Sequence, residues 1–198
     1  FMLGSWIMKK ILAIIVLSLC FIAQSQADDA SEFQIEGISI GDSALKYYSA
    51  QQINLAKKFE CYKSFKNCEM FQASMNAKGI YTGNILLAFK KNDPDFIIHG
   101  ITGIIPYRNN IIDCYLKQNE IETEIKTLLF NQTKKEIEKA HSGDKTGKSR
   151  NKSIYFDFPD NSQIVISCYD WSTEMKFYDN LRVGVKSSQF KNWLNKKA

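Results

Sequence analysis

The chain has 198 residues, with 26 Lys and Arg against 21 Asp and Glu, and a net charge of +5. Basic and acidic residues are interleaved along it, which gives no footing for a nucleic-acid-binding role. The length is that of one ordinary domain with a real core.

Met8-Lys9-Lys10, the apolar run Ile11 to Ala23 and then Ala23-Gln24-Ser25-Gln26-Ala27 have the three parts of an export signal. They predict a signal peptide over 1–27, with a start at Met8, residues 1–7 as an upstream extension and a mature chain from Asp28. The apolar run has 13 residues, short of the ~20 that a spanning helix needs; an uncleaved anchor is the competing reading. Cys20 follows Leu19 rather than a small residue, which disfavours lipid attachment. Losing Lys9 and Lys10 leaves 24 basic against 21 acidic residues, a net charge of +3. Four cysteines remain: Cys61, Cys68, Cys114 and Cys168. In an exported chain an even number reads as two disulfides. Zinc is the rival, but no C-x2-C pair exists and His99 and His141 are isolated.

After the polar lead-in DDASEFQ, residues 35–53 hold Gly37 and Gly41 around an apolar pair. Asp42 is expected to cap a short helix carrying Leu45 and Tyr48, and Ser49 with Gln52 forms a capping box toward Ile53. FECYKSF, FQASM, NILLAFK and FIIHGITGII then read as antiparallel strands, the last two joined by the hairpin loop KNDPD. From Asn110 the apolar positions Ile111, Cys114, Tyr115, Ile121, Ile125, Leu128 and Leu129 form one helical stripe. Glu120, Glu122, Glu124 and Lys126 fall largely on its wet side. A further helical turn or two includes Ile137, before a polar loop at 141–152. Ile154, Phe156 and Phe158, then Ile164, Ile166 and Cys168 after the turn PDNS, alternate as strands. Leu181, Val183 and Val185 make another strand, and Phe190, Trp193 and Leu194 a closing helix.

Strands, then a helix, then strands, without βαβ alternation, predict an α+β fold. The expected architecture is an antiparallel sheet packed against one long helix, with a short N-terminal and a C-terminal helix, in a single domain over 28–198. Cys168 shares a strand face with Ile164 and Ile166, and Cys114 lies on the helical stripe. A Cys114–Cys168 bond would tie helix to sheet, while Cys61–Cys68 would staple a local loop.

Two stretches invite a chemical reading. GDKTGKS (143–149) ends like a phosphate loop, but only three residues separate Gly143 from Gly147 and the motif leads into a strand rather than opening a helix. A surface loop without nucleotide is expected. CYDWS (168–172) brings Tyr169, Asp170 and Trp171 together, with Glu174 and Asp179 close by. Paired carboxylates beside aromatics suit acid–base chemistry or sugar binding; the plainer reading is a packed Trp and a capping Asp at a strand end. His141 with Asp144 makes a conceivable ligand contact but no metal site. No residue is assigned to catalysis and no cofactor is expected.

The stretches IEGISIGDSALKYYS, DKTGKS and CYDWSTEMKFYDNLRVGVKSSQFKNWL resemble a family of small exported bacterial proteins with no assigned function. The resemblance supplies no catalytic residues. A fainter similarity, over Ile35–Tyr48, is to small outer-membrane assembly lipoproteins. The function expected is that of a periplasmic or secreted, disulfide-stabilised module that binds a protein or small ligand of the cell envelope. No nucleic acid, nucleotide or stable membrane span is expected. The alternative is a hydrolase acting on an envelope or extracellular polymer through carboxylates near Asp170. Intact-mass analysis of exported protein should find a chain beginning at Asp28; retention of the hydrophobic run would overturn the reading of the amino end.

Overall fold

A computed structural model of the chain describes residues 29–59, 69–77, 79–108, 110–129 and 132–195. Strands β1 (Lys57–Phe59), β2 (Met70–Met75), β3 (Asn84–Lys90) and β4 (Ile98–Pro106) form one meander. Strands β5 (Thr133–Ala140), β6 (Arg150–Asp157), β7 (Gln163–Asp170) and β8 (Asn180–Lys186) form another. β4 pairs with β8, so the two meanders join into an eight-stranded antiparallel sheet of order β1-β2-β3-β4-β8-β7-β6-β5. Helix α1 (Ala50–Leu55) precedes the sheet, α2 (Ile111–Leu128) connects the meanders and α3 (Ser188–Asn195) closes the chain. Sheet and helices together make the fold α+β.

The period-two pattern fills one face of the sheet. A row of paired residues runs from Phe156 through Ile164, Val185, Ile101 and Leu87 to Ala73, and every member is buried. The next row passes from Ile154 through Ile166, Val183, Gly103 and Ile85 to Met75. Gly103 has no side chain to offer because the Tyr81 ring lies where one would stand, 2.3 Å from a Cβ built there. On the opposite face Phe190 and Trp193 of α3 pack with Met70 and Ala88, and Phe190 covers Gly100. Full burial of one such aliphatic side chain contributes roughly 1.5–3 kcal/mol.

The amino-terminal segment is laced to the start of β4. Gly41 N–H donates to the Ile98 carbonyl at 2.8 Å and Ile98 N–H to the Asp42 carbonyl at 2.9 Å. Gly41 has φ +88°, where only glycine is unstrained. Ile35, Ile38, Ile40, Ala44 and Ile53 thereby enter the core. The capping box at Ser49 and Gln52 is present, but Asp42 does not cap the preceding turn. Ser43 does so, its hydroxyl accepting from Leu45 N–H. The Asp42 carboxylate instead receives Ser39 N–H, the Tyr47 hydroxyl and Lys46 Nζ.

Two further expectations need correction. The Ile137 segment is strand β5, not helix. Its KKEIEK composition suits a helix, yet eight residues pair with β6, and Glu136 and Glu138 meet Lys152 and Arg150 across the strands at 3.2 Å. Tertiary pairing overrides the local preference, and the charges blunt an edge strand. On α2 the buried positions are Cys114, Gln118, Glu122 and Ile125, so Glu122 sits on the covered side while Leu128 is exposed. Lys126 and Lys134 both pair with Glu122. Burial pushes its carboxyl up, but those two lysines outweigh it and hold it below the ordinary range. Gln118 Nε2 donates to the carbonyls of Lys152 and Ile166 at 3.0 and 2.9 Å, a buried amide tying helix to sheet.

Cys114 and Cys168 form a disulfide, with Cα atoms 6.0 Å apart and 54 residues of separation. Both are fully buried. The bond is compatible with an extracytoplasmic location. Among the described residues no helix is long and apolar enough to cross a membrane. The expected signal over 1–27 and the Cys61–Cys68 pair lie outside the described residues, as does most of FECYKSF.

In the chain-entropy picture a loop of this length contributes about 4 kcal/mol. Cys114→Ala should therefore lower unfolding free energy by roughly that much in urea titration, whereas Lys148→Ala in an exposed loop should leave the midpoint nearly unchanged. Non-reducing peptide mapping should recover Cys114 joined to Cys168.

Candidate functional site

The β5–β6 loop (141–149) and the β7–β8 loop (171–179) lie at the same end of the sheet, because both connect the same ends of paired antiparallel strands. The first is organised around its own carboxylate. Asp144 is 5% exposed and receives the N–H and hydroxyl of Thr146 at 2.8 and 2.7 Å. It also receives the N–H and hydroxyl of Ser149 at 2.9 and 2.6 Å, and the Ser172 hydroxyl at 2.9 Å. Hydrogen bonds from Ser149, then Thr146, hold its carboxyl far below the ordinary range against the opposing effect of burial. The N–H groups that a phosphate loop would turn toward a nucleotide are thus directed at an internal anion. Lys148, at the position of the phosphate-binding lysine, pairs with Glu174 at 2.5 Å. Asp144 and Glu174 are therefore the fastenings that hold the two loops together.

An aromatic group sits on this frame. The His141 ring lies 4.4 Å from that of Trp171, Tyr169 stacks on Trp171 at 5.8 Å, and Phe177 meets Trp171 edge-on at 5.0 Å. Strand alternation explains the selection: Tyr169 pairs with Asn180 and Asn151 on the face opposite Cys168. Arg182, two residues along β8 from Asn180, places its guanidinium 4.0 Å over the Tyr169 ring while its Nε donates to Asn180 Oδ1 at 2.9 Å. Phe177 and Tyr178 are 56% and 59% exposed, and Arg108 approaches the Tyr178 ring at 5.8 Å. The Trp171 indole N–H is buried and has no acceptor among the described residues. His141 Nδ1 accepts Gly143 N–H at 3.1 Å, which leaves its proton on Nε2. Burial and then the nearby Arg182 lower its pKa, so the ring is neutral at pH 7.

Asp170 and Asp179 are placed differently from the aromatics. Asp179 is buried, accepting the Trp171 backbone N–H at 2.8 Å. Asp170 shares the α2 side of β7 with Cys168; burial, then the charges of Asp179 and Glu138, push its carboxyl up. Among the described residues no cluster of His, Cys, Asp and Glu could hold a metal ion. Arg182, Phe177, Tyr178 and Arg108 were not singled out from the sequence. Period-two alternation in NLRVGVK could have found Arg182 on the Tyr169 face; nothing local marks the other three.

Asp144→Ala should release both loops, with faster hydrogen exchange at the amides of Thr146 and Ser149 and a shift of the Trp171 fluorescence. In the parent protein a depressed native carboxyl contributes stability that is fully present above its ordinary value of 3.8 and is lost as pH falls below it. Exchange at those two amides should accelerate over that acid range, and insensitivity to pH there would remove Asp144 from its role.

No family model matches the chain, and no curated protein or solved structure matches it either.

Proposed function

We propose that this is an exported, periplasmic or secreted protein that acts by binding, without catalysis, and that it meets its partner through the aromatic surface at the loop end of the sheet. The reading places it with the small exported bacterial proteins that its GISIGD and CYDWS stretches resemble. The observation that carries it is the exposure of Phe177 and Tyr178 beside Trp171, whose buried indole N–H has no acceptor among the described residues. Aromatic anchors flanked by Arg108 and Arg182 have the composition of binding hot spots. The disulfide and the Asp144 cradle support the same reading, because they make the surface rigid before contact and so reduce the ordering cost of binding.

A second reading, hydrolysis of an envelope polymer, has one observation in its favour. Asp170 carries a raised pKa, as a general acid requires. The carboxylates whose charges reach it are already engaged, Asp179 by the Trp171 amide and Glu138 by Arg150, and Glu174 is held by Lys148.

A photo-crosslinking residue at position 177 or 178 should trap a discrete partner in cells, and one at Asn119 on α2 should not. With the crosslinking residue moved to the exposed position 176, Phe177→Ala with Tyr178→Ala should abolish that capture yet leave stability within about 0.5 kcal/mol, as is usual for exposed positions. Polymer hydrolysis lost in Asp170→Asn, with no crosslink at 177 or 178, would replace binding by catalysis.

A further inference from the structure

A second polar site lies at the other end of the sheet, beneath α3. A cavity of about 320 Å³ is lined by Lys135, Tyr155, Asp157, Gln163, Lys186 and Lys191, with Ile137 and Leu194 among the remaining walls. Its ionisable groups come from four of the five elements around it: Lys135 from β5, Tyr155 and Asp157 from β6, Lys186 from β8 and Lys191 from α3, while β7 contributes the neutral Gln163. Three ammonium groups face one carboxylate, a surplus of 3 − 1 = 2 positive charges.

That carboxylate is already committed. Asp157 Oδ1 receives Lys191 Nζ at 2.7 Å and Gln163 Nε2 at 2.8 Å, and Lys191 also reaches Asn161 Oδ1 at 2.9 Å. Among the described residues Lys186 hydrogen-bonds only a neutral partner, the side-chain oxygen Oε1 of Gln163 at 3.2 Å, and Gln163 itself is 7% exposed. Desolvation and then the charge of Lys191 lower the Lys186 pKa to about 8, so it is still protonated at neutral pH. The Lys186 side chain is partly covered, and Asp157, the carboxylate in the same cavity, is already shared with Lys191 and Gln163; an external anion would balance the positive charge that remains.

We propose that this cavity binds a dianionic oxyanion of the phosphate class, with Lys186 at its floor and Lys135 and Lys191 at its walls. The positive surplus matches the charge of a phosphate group near neutral pH, which is close to −2. Lysines bind phosphate as point charges, with donors that rotate to meet its oxygens. Binding is strongest just below about pH 8, where Lys186 is protonated and the phosphate is still doubly charged, and weakens as Lys186 loses its proton. The site is separate from the aromatic loops, so its test stands apart from theirs.

The experiment is calorimetry with inorganic phosphate at pH 7.5, where the dianion predominates and Lys186 is still largely protonated, and at pH 9.5, at matched ionic strength in chloride, with melting curves alongside. A parallel arm measures co-sedimentation with phosphatidic acid vesicles, whose phosphomonoester can carry two charges, against phosphatidylcholine vesicles. The expected results are saturable phosphate binding and a raised melting temperature at pH 7.5, both weaker at pH 9.5. Lys186→Met should lower the affinity at least tenfold while folding as well as the parent, because it removes a desolvated charge and keeps the bulk. Vesicle binding that Lys186→Met abolishes, without binding of free phosphate, would assign the same site to a lipid headgroup. Lys145→Ala, an exposed lysine at the opposite end of the sheet, is the control and should bind as the parent does. Failure of the parent to bind either probe, or unchanged binding by Lys186→Met, would overturn the proposal.

Discussion

The pairing of β4 with β8 is the constraint on which the remaining structure depends. Each meander taken alone is a four-stranded sheet with an apolar face too small to exclude water well. Joined at Gly100–Lys186 through Pro106–Asn180, they present continuous apolar rows across six strands. The pairing also dictates the path of the connection. Helix α2 must carry the chain from the end of β4 to the far edge at β5, and it does so across the core face, where Gln118 and Cys114 attach it to β7. Contacts so distant in sequence are slow to form and are rewarded only when both partners are in place. A covalent bond between α2 and β7 therefore stabilises the part of the fold whose local interactions do least.

The two faces of the sheet have divided their work. One buries aliphatic side chains under α2 and the amino-terminal segment. The other is covered by α3 over β2, β3 and β4, and over the second meander it carries polar and aromatic side chains instead. Ser153, Ser167 and Asn151 are buried there in a closed hydrogen-bond network, with hydroxyls 2.7 Å apart. Such a floor is polar but internally satisfied, so it holds its neighbours in place without itself calling for a ligand. The groups with donors left over lie at its two ends: the Trp171 indole at one, Lys186 at the other.

GDKTGKS shows how a motif acquires the opposite meaning in context. Its backbone N–H groups do converge on an anion, as in a phosphate loop. That anion is Asp144, supplied by the motif, and its bond to Ser172 turns the loop into a brace for CYDWS. The same hydrogen-bonding physics that would hold a phosphate here holds one loop against another.

Much of this was legible from local pattern. Alternation in Ile154–Phe158, Ile164–Cys168 and Leu181–Val185 specified strands and their buried faces, and the Ser49–Gln52 box specified a helix start, because these depend on residues a few positions apart. The Cys114–Cys168 bond followed from two such faces meeting. The order of the strands did not, since nothing in β4 or β8 names its partner. Nor did the strand at Ile137, where cross-strand pairing with β6 overcame a helix-like composition, or the burial of Glu122, which is stable only because Lys134 arrives from another element. Arg182, Phe177 and Tyr178 are unremarkable residues in the chain. They form a surface with Trp171 only because antiparallel pairing brings two loop ends together, and Lys186 shares a cavity with Lys191 only because α3 folds back toward β8.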